Sequence, residues 1–438
     1  MGAMRKAATA AVTLAWGAAT LGAAAWAGPA GEEVLALNTR LALELVRHTP
    51  TYSPPVASRA FGHLYVTAYE AVAQGRPDLL SLAGQLNALT PPPAREAGLA
   101  HDEEVVLQAA LAVAVEELFF NTGPTGQRAM ENVAARLAEG VAEGVSPDVL
   151  ERSRAQGEAV ARHVLGWAAT DGGAAIENMG FPLEMDLAGG PGAWVPTSRI
   201  VQQQLPLLPG WGDNRPFAMP DGAACPLPAP PAYSEEPGSA FMAEAEEVLA
   251  VSRGLTEEQE AIARFWSDDP MLSPTPPGHW IFIASDVLDR QDAPLDRRVE
   301  VLAKLSVALA DAFIGCWHEK FRWNLIRPVT YIRAHLDPRF EPLLITPPFP
   351  EYPSGHSTQS GAAAEVRTDL FGEGFAFTDA THEADGLPAR SHPSFRAAAE
   401  EAAMSRLYGG IHFRSAIERG LEQGRCIGAH AAALRTRP

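Results

Sequence analysis

Three short stretches in the second half of the chain carry side chains that could bind an oxyanion and move protons. In the middle stretch, Pro353-Ser354-Gly355-His356, a proline-rich approach meets an Ala-rich run, and Ser354 is a good helix-capping residue. The N–H groups of a first helical turn can bind an anion, and Gly355 lets a ligand come close to them. His356 lies beside them with an imidazole that can transfer protons in either direction near neutral pH. We therefore predict an anion site with an acid/base histidine here.

The other two stretches add cationic groups and a second imidazole. Lys320 is followed after six residues by Arg327-Pro328, and Ser405-Arg406 is followed after five residues by His412. Together with residues 354–356, they provide two guanidinium groups, an ammonium group, a hydroxyl group and two imidazoles. These are the groups that a tetrahedral oxyanion with three or four oxygens requires.

The order of these motifs resembles a known signature. Lys-x6-Arg-Pro, Pro-Ser-Gly-His and Ser-Arg-x5-His look like the three parts shared by vanadium-dependent haloperoxidases, type 2 phosphatidic-acid phosphatases and bacterial acid phosphatases. The sequence Pro-Pro-Phe-Pro-x-Tyr-Pro-Ser-Gly-His at residues 347–356 resembles the haloperoxidase branch more closely than the phosphatases. A weaker flanking resemblance extends from about Trp211 to Gly428.

For a haloperoxidase, the resemblance implies vanadate as cofactor, with His412 Nε2 as the only protein atom bonded to vanadium. His356 would move protons when hydrogen peroxide binds, and Lys320 would polarise the bound peroxide. Vanadate would act as a Lewis acid, so that halide is oxidised to a hypohalous species that modifies a small organic acceptor. The groups that would hydrogen-bond the vanadate oxygens are Lys320, Arg327, Ser354, Gly355 and Arg406.

Two other functions remain open. In a secreted acid phosphatase the same site would hold phosphate, with His412 as nucleophile and His356 as general acid. The superfamily commonly has an aspartate four residues after the last histidine, where it orients the imidazole, and this chain has Ala416. That loss should harm a nucleophilic histidine more than a metal ligand, which favours the haloperoxidase. The third function is a non-catalytic periplasmic oxyanion binder, which would not need His356.

Three flanking residues are candidates for roles in the site. The resemblance would place Asp269 where a haloperoxidase carboxylate pairs with an arginine of the first or third motif, and a solvated acid at a helix end is the alternative. Phe349 and Trp323 are predicted to wall the halide pocket, since apolar side chains leave a soft anion poorly hydrated. His279 lies in a predicted loop at 276–280 and is interpreted as a capping or packing residue.

The elements that must position these groups are predicted to be helices. Ala, Leu, Glu and Arg dominate and alternating β-branched runs are nearly absent, so the expected fold class is all-α, as one or two helical bundles with long irregular loops. A helix over 294–320 carries an apolar stripe that Lys320 continues, and a buried lysine requires an anion. His318 and Glu319 are predicted to be solvated, and His382 and His392, in a polar loop at 371–393, to lie at the surface.

Composition divides the chain into four segments. Residues 1–27 carry Arg5 and Lys6, an apolar run and a small-x-small site at 25–27, which is typical of a secretory signal peptide; an uncleaved anchor is the alternative. An N-terminal helical scaffold is expected over 28–170, a Gly/Pro-rich connection over 171–236, and the haloperoxidase/phosphatase-like core over 237–438. The protein is therefore expected to be exported to the periplasm or secreted.

Charge and cysteine content limit the partners. The formal net charge of -19 argues against nucleic acid or an anionic membrane as a partner, because both require a basic surface. No later segment is apolar for long enough to span a membrane. Cys225, Cys316 and Cys426 allow at most one intramolecular disulfide, and Cys316 is interpreted as a core residue. Haloperoxidases of this type are often oligomeric, so the resemblance also implies a homo-oligomer.

Overall fold

The computed structural model describes residues 30–176, 187, 189–198 and 205–438, and this part of the chain is almost entirely helical. The predicted signal peptide lies outside the described residues, as does part of the predicted connection. Within the described residues, strands occur only as an antiparallel hairpin of β1 (Phe377–Asp379) and β2 (Arg390–His392). The all-α prediction is confirmed.

Five helices with strong start signals form the N-terminal half. Proline occupies the first turn of α2, α4 and α5, where its missing N–H costs no hydrogen bond. The Asp102 side chain caps α3 by accepting the N–H of Val105 at 3.0 Å. Short α6 (Gly173–Ile176) follows this set. The five helices are α1 (Gly31–Arg47), α2 (Pro54–Ala73), α3 (Glu103–Leu118), α4 (Pro124–Ala142) and α5 (Pro147–Ala168).

The C-terminal half is built from longer and more buried helices. Helix α8 begins with a capping box: the Thr256 hydroxyl accepts the N–H of Gln259 at 3.2 Å, and the Gln259 side chain accepts the N–H of Thr256 at 3.0 Å. The helices are α7 (Ala240–Arg253), α8 (Glu257–Phe265), α9 (Thr275–Arg290), α10 (Leu295–Trp323), α11 (Pro328–His335), α12 (Gly355–Phe371), α13 (Phe395–Tyr408) and α14 (Arg414–Ala432).

Helix α10 lies at the centre and joins the two halves. It packs against α2 on one side and against α12 and α14 on the other, and one hydrophobic core runs from α1 to α14. Helices α12 and α14 touch backbone to backbone: a Cβ on Gly424 would lie 2.0 Å from the carbonyl oxygen of Thr358. This close approach fixes the start of α12 against the residues that precede α14.

Three predictions about local structure are wrong. Residues 276–280 begin helix α9 rather than forming a loop, because Pro276 and Pro277 occupy its first turn, where proline is well tolerated. The polar loop at 371–393 contains the β-hairpin. Glu319 is fully buried rather than solvated, since its carboxylate accepts the indole N–H of Trp323 at 2.6 Å.

The described parts of the Gly/Pro-rich connection contact the loops that flank α10 and α12. The N–H of Leu207 donates to the carbonyl of Pro348 at 2.8 Å, and the N–H of Trp194 donates to the carbonyl of Asn324 at 2.8 Å. These hydrogen bonds connect the irregular segment to two loops near the predicted anion site. In the described residues, every helix is too short or too polar to cross a membrane.

A disulfide between Cys225 and Cys426 joins the connection to α14 across 201 residues of sequence, while Cys316 is a buried free thiol, as predicted. We expect the Cys225→Ser/Cys426→Ser variant to lose about 2–5 kcal/mol of free energy of unfolding, because the crosslink restricts the unfolded chain. Urea titration measures this loss. Reductant should destabilise the wild type to the same extent and leave the double variant unchanged, and equal stability of both proteins without reductant would contradict the prediction.

Candidate oxyanion site

The predicted anion site lies at the N-terminus of α12, where the three motifs meet. Ser354 caps the helix, its hydroxyl accepting the N–H of Ser357 at 3.3 Å. Its own N–H donates to the carbonyl of Ala416 at 3.0 Å, which joins the second and third motifs. Among the described residues, the amides of Gly355 and His356 have no backbone acceptor. These two N–H groups are available to an anion.

Lys320 is fully buried at the end of the apolar stripe of α10, as its spacing predicted. Its ammonium group donates to the carbonyls of Pro350 at 2.9 Å, Glu351 at 3.1 Å and Pro353. Burial lowers the pKa of Lys320 to about 7, and the charge of Arg327 adds to this effect. In this arrangement Lys320 orders the approach to α12, and direct contact with an anion would require it to exchange one of these bonds.

Arg327 is fully buried and spans all three motifs. Its Nε donates to the carbonyl of Phe349 at 2.8 Å, and its Nη1 lies 3.1 Å from both the carbonyl of Ile411 and the Nε2 of His412. Its Nη2 has no hydrogen-bond partner among the described residues. A buried guanidinium N–H without an acceptor is costly, which indicates that this nitrogen has a ligand to bind.

His412 presents an unprotonated Nε2 to this group. Because Arg327 Nη1 can only donate, Nε2 of His412 accepts, and the ring proton lies on Nδ1. Nδ1 donates to Glu351 Oε1 at 2.7 Å, and the same oxygen accepts the N–H of Phe413 at 2.9 Å. The tautomer with a free lone pair on Nε2 is the one that a metal ligand or a nucleophile needs.

The surrounding charges also favour neutral His412. Burial lowers the pKa of His412 well below its ordinary value, and the positive charges of Arg327, Lys320 and Arg406 lower it further. These three cations therefore act on one imidazole, as the spacing of the motifs predicted.

Glu351 is the residue that the sequence interpretation missed. It is the one acid in the proline-rich approach to α12, it is fully buried, and its Oε2 has no hydrogen-bond partner among the described residues. Burial raises the pKa of Glu351 to about 8, against the opposing charges of Arg327 and Lys320. A lone carboxylate in an apolar segment beside a motif histidine was the available signal.

Arg406 and His356 meet at the end of α8. Arg406 is buried on α13 and donates to the carbonyl of Trp266, while His356 Nε2 lies 3.8 Å from Asp268 Oδ2. Burial lowers the pKa of His356 well below its usual value, and the charge of Arg406 adds to this effect. The Gly409-Gly410 break after α13, with a positive φ of 74° at Gly410, lets the chain turn so that the charge of Arg406 acts on His412.

The carboxylate beside this part of the site is Asp268 rather than Asp269. Within the described residues, Asp269 has no ion-pair partner within 4.0 Å, although the charge of Arg406 acts on its pKa. Asp268 adopts a left-handed backbone conformation with φ of 50°, which turns its side chain away from the direction that helical periodicity would give. Among the described residues, neither aspartate forms an ion pair with Arg406 within 4.0 Å, and the charges of both act on the pKa of Arg406, so the pairing of Asp269 stays a prediction.

Besides His63 on α2, three histidines outside the motifs are buried among the described residues. His279 lies between two aspartates, 2.9 Å from Asp268 Oδ1 and 2.7 Å from Asp379 Oδ2, and His382 Nε2 lies 3.3 Å from Asp268 Oδ1. His382 and His392 were predicted at the surface, but they belong to the loop and second strand of the hairpin β1–β2, where their rings pack beside Phe265 and Trp266. His279 is part of a buried ionic cluster rather than a simple packing residue.

This cluster predicts a loss of stability at alkaline pH. Burial lowers the pKa of His279, but the charges of Asp268 and Asp379 outweigh burial and raise it to about 10. The folded protein therefore keeps a proton that the unfolded chain releases, so stability is full below about pH 6.5 and declines by a few kcal/mol as pH approaches 10. Urea titrations across this range measure the decline. His279→Gln should flatten it and exposed His48→Gln should not, and a pH-independent wild type would contradict the prediction.

The aromatic wall beside the site differs in part from the predicted one. Phe349 is buried, and its ring centre lies 5.0 Å from Lys320 Nζ and 4.9 Å from the Arg327 guanidinium carbon. Its aromatic neighbour is Trp317, at 4.9 Å between ring centres. Trp323 instead bonds to Glu319. Phe349 and Trp317 therefore shield this side of the cationic groups.

The donor set fits a tetrahedral oxyanion. Within the described residues, two amides and one guanidinium N–H lack an acceptor here, and the Nε2 lone pair of His412 is held only by Arg327 Nη1. The side chains of Lys320, Arg327 and Arg406 are buried beside them. The buried polar atoms without partners at this place are Arg327 Nη2, Glu351 Oε2, His356 Nε2 and Ser357 Oγ. An all-helical fold with this constellation defines an oxyanion-binding protein of the haloperoxidase/phosphatase class.

Comparisons with known proteins narrow this class. The family model described as the VCPO second helical-bundle domain matches residues 300–437. A solved structure titled as the first bacterial vanadium-dependent iodoperoxidase is 40% identical, covers 93% of this chain and 97% of its own, and has a TM-score of 0.85. The chain therefore belongs to the vanadium-dependent haloperoxidase family.

More distant structures share the fold. The apo form of a bacterial vanadium-dependent chloroperoxidase is 15% identical, with 90% of this chain and 96% of the other covered and a TM-score of 0.69. The holo form of a bacterial vanadium-dependent chloroperoxidase is 16% identical, with 93% and 96% covered and a TM-score of 0.67. No curated protein sequence matches the chain.

Proposed function

We propose that the protein is a vanadate-dependent peroxidase that uses hydrogen peroxide to oxidise halide to a hypohalous species, which then modifies a small organic acceptor. The observation that carries the proposal is the unprotonated Nε2 of His412, which accepts from Arg327 Nη1, in a ring whose Nδ1 is held by Glu351 and next to a guanidinium whose Nη2 has no partner among the described residues. Iodide is the first halide to test, because the 40% identical relative is titled an iodoperoxidase.

Different residues would bind the vanadium atom and the vanadate oxygens. His412 Nε2 would hold vanadium, and the vanadate oxygens would be hydrogen-bonded by Arg327, Arg406, Ser354 and the free amides of Gly355 and His356. Bound vanadate would supply a Lewis acid that activates hydrogen peroxide towards halide. Lys320 orders the approach loop through its hydrogen bonds to the carbonyls of Pro350 and Glu351.

His356 is proposed as the group that takes up and returns protons. It is neutral at neutral pH, since its pKa lies well below the ordinary value, and its Nε2 has no hydrogen-bond partner among the described residues. Nε2 can therefore accept a proton from a peroxide that enters the site. Asp268, at 3.8 Å, faces the imidazole and would stabilise it once charged.

A secreted acid phosphatase is the second candidate, and Glu351 is the observation that keeps it open. The alanine at position 416 argued against a nucleophilic histidine, but Glu351 supplies an orienting carboxylate to His412. Ala416 alone therefore does not exclude a phosphatase with His412 as nucleophile. The 40% identity to an iodoperoxidase still favours the haloperoxidase.

The test is to purify the full chain without phosphate, add orthovanadate, and follow peroxide-dependent oxidation of iodide and bromination of a phenolic dye. Hydrolysis of a chromogenic phosphate ester by the vanadate-free protein is measured in parallel. Halide oxidation that requires both vanadate and peroxide is the expected result. Ester hydrolysis inhibited by vanadate, without halide oxidation, would make the protein a phosphatase. Vanadate binding with neither activity would indicate an oxyanion binder.

We also propose that the protein is exported. The signal-like segment at residues 1–27 and the disulfide between Cys225 and Cys426 support this, because disulfides persist in oxidising compartments. N-terminal sequencing of the protein from culture medium or periplasm tests it, and cleavage after Ala27 is the expected result.

A further inference from the structure

The oxyanion site has a carboxylate partner for His412 at an unexpected position in the chain. Position 416, which follows His412 by one helical turn, is a fully buried alanine in the first turn of α14. Glu351 instead comes from the proline-rich approach to α12, 61 residues before His412. The two positions lie close together, because the carbonyl of Ala416 accepts the N–H of Ser354, three residues after Glu351.

The contacts of Glu351 are those of a positioning group. Its Oε1 accepts Nδ1–H of His412 at 2.7 Å and the N–H of Phe413 at 2.9 Å, so one oxygen fixes both the ring and the backbone next to it. With Nδ1 protonated, the lone pair lies on Nε2 and faces the ligand side of the site. Carboxylate partners of this kind fix the tautomer and raise the basicity of a ligating histidine.

Glu351 is itself held in place. The main-chain carbonyls of Pro350, Glu351 and Pro353 all accept from Lys320, and the N–H of Glu351 donates to the carbonyl of Leu325 at 3.0 Å. The carboxylate therefore sits on a segment anchored to the end of α10 and cannot easily move away from His412. An anchored partner gives a preorganised histidine.

We infer that Glu351 is the positioning residue for His412 and has the role that an aspartate at position 416 would have. The carboxylate that orients His412 therefore comes from a different position in the sequence but contacts the same ring nitrogen. The inference rests on the proposed function of His412 as the group that binds the oxyanion. It requires that removing Glu351 weakens oxyanion binding and that a carboxylate at position 416 restores it.

The test measures binding to the full chain without halide or peroxide, so it does not depend on whether halide oxidation is found. Orthovanadate and, separately, inorganic phosphate are titrated calorimetrically into wild type, Glu351→Ala, Ala416→Asp and the double variant. Glu351→Ala should bind vanadate about 10–100-fold more weakly. The double variant should recover most of this loss, since an acid in the first turn of a helix is well tolerated.

A matched control separates positioning from loss of a buried carboxylate. Glu70 is fully buried on α2 and accepts a backbone N–H and a hydroxyl, as an acid remote from the site. Glu70→Gln should leave the vanadate affinity unchanged, whatever it does to stability. If Glu351→Ala does not fold, Glu351→Gln replaces it, with an expected loss of about 10-fold because one acceptor oxygen is kept and the other is replaced by an amide N–H₂ donor.

The hydrogen bond at Nδ1 of His412 gives a readout that a purely structural role would not move. Nitrogen NMR of histidine-labelled protein, with the His412 signals identified by their absence from His412→Ala, should show Nδ1 protonated in the wild type. In Glu351→Ala the Nδ1 signal should shift, because its acceptor is lost while Arg327 still donates to Nε2, and in the double variant it should return. Wild-type vanadate affinity in Glu351→Ala, an unshifted Nδ1 signal, or a folded double variant without recovery would each overturn the inference. Halide oxidation by the wild type in those cases would leave the proposed function intact.

Discussion

His412→Ala is expected to abolish tight vanadate binding and to lower vanadate-dependent halide oxidation by about 10³-fold or more, the scale seen when one preorganised group is removed from a catalytic site. The reason is that His412 offers an unprotonated Nε2 at the meeting point of the three motifs, with Arg327 donating to Nε2 and Glu351 accepting from Nδ1. Calorimetric titration with orthovanadate and initial rates of iodide oxidation measure the two effects.

The matched control for this prediction is His48→Ala. His48 is a histidine on the surface at the end of α1, with 67% of its side chain exposed, and it contacts only Glu44 among the acids. It should leave both binding and oxidation unchanged. Activity that survives in His412→Ala would show that the oxyanion is held without a bond to this imidazole. It would favour an electrostatic site formed by the arginines and the start of α12.

Arg327→Lys is expected to weaken vanadate binding by roughly 10²–10³-fold, within the range for breaking a buried charged pair. The guanidinium donates to Phe349, Ile411 and His412 and still has Nη2 free, whereas an ammonium group has only three donors and no planar fork. A lysine at position 327 therefore cannot bond to the loops that contain Phe349 and Ile411 and bind the vanadate at the same time. Affinity for vanadate and the urea midpoint, measured on the same samples, separate these losses.

Arg339→Lys serves as the control, since Arg339 is 94% exposed beyond α11 and remote from the motifs. Its vanadate affinity and stability should equal those of the wild type. If Arg327→Lys binds vanadate normally but unfolds at lower urea, Arg327 is an organiser of the loops and does not contact the oxyanion. If both quantities are unchanged, the hydrogen bonds of Arg327 contribute little in solution.

Most of the helices could be read from local patterns, and the failures have a common cause. Helix α10, predicted over 294–320, begins one residue later and extends three residues beyond the predicted end at Lys320. Helix α9 was missed because a Pro-Pro-Gly sequence signals a turn, although Pro276 and Pro277 are compatible with a first helical turn. The hairpin β1–β2 was missed because each strand has three residues, too few to show alternation.

The sequence by itself determined which groups are predicted to bind the oxyanion. Motif order, the stripe ending at Lys320, the capping serine and the glycines before His412 are all local features, so spacing alone assigned Lys320, Arg327, His356, Arg406 and His412 to one site. Local periodicity also determined the all-α class, because each helix buries a face that its own sequence encodes.

Only the tertiary structure decided what surrounds those groups. Glu351 reaches His412 because α12 and α14 pack closely enough to bring residues 61 positions apart into contact, and no spacing rule reports such a contact. No spacing rule predicts the contact of Asp268 with His356 either, because it depends on the left-handed backbone conformation of Asp268. Nor does one predict that Lys320 donates three hydrogen bonds to the carbonyls of the loop before α12. The tautomer of His412 and the charge state of His356 depend on burial and on neighbours from other elements, and these exist only once the helices have packed.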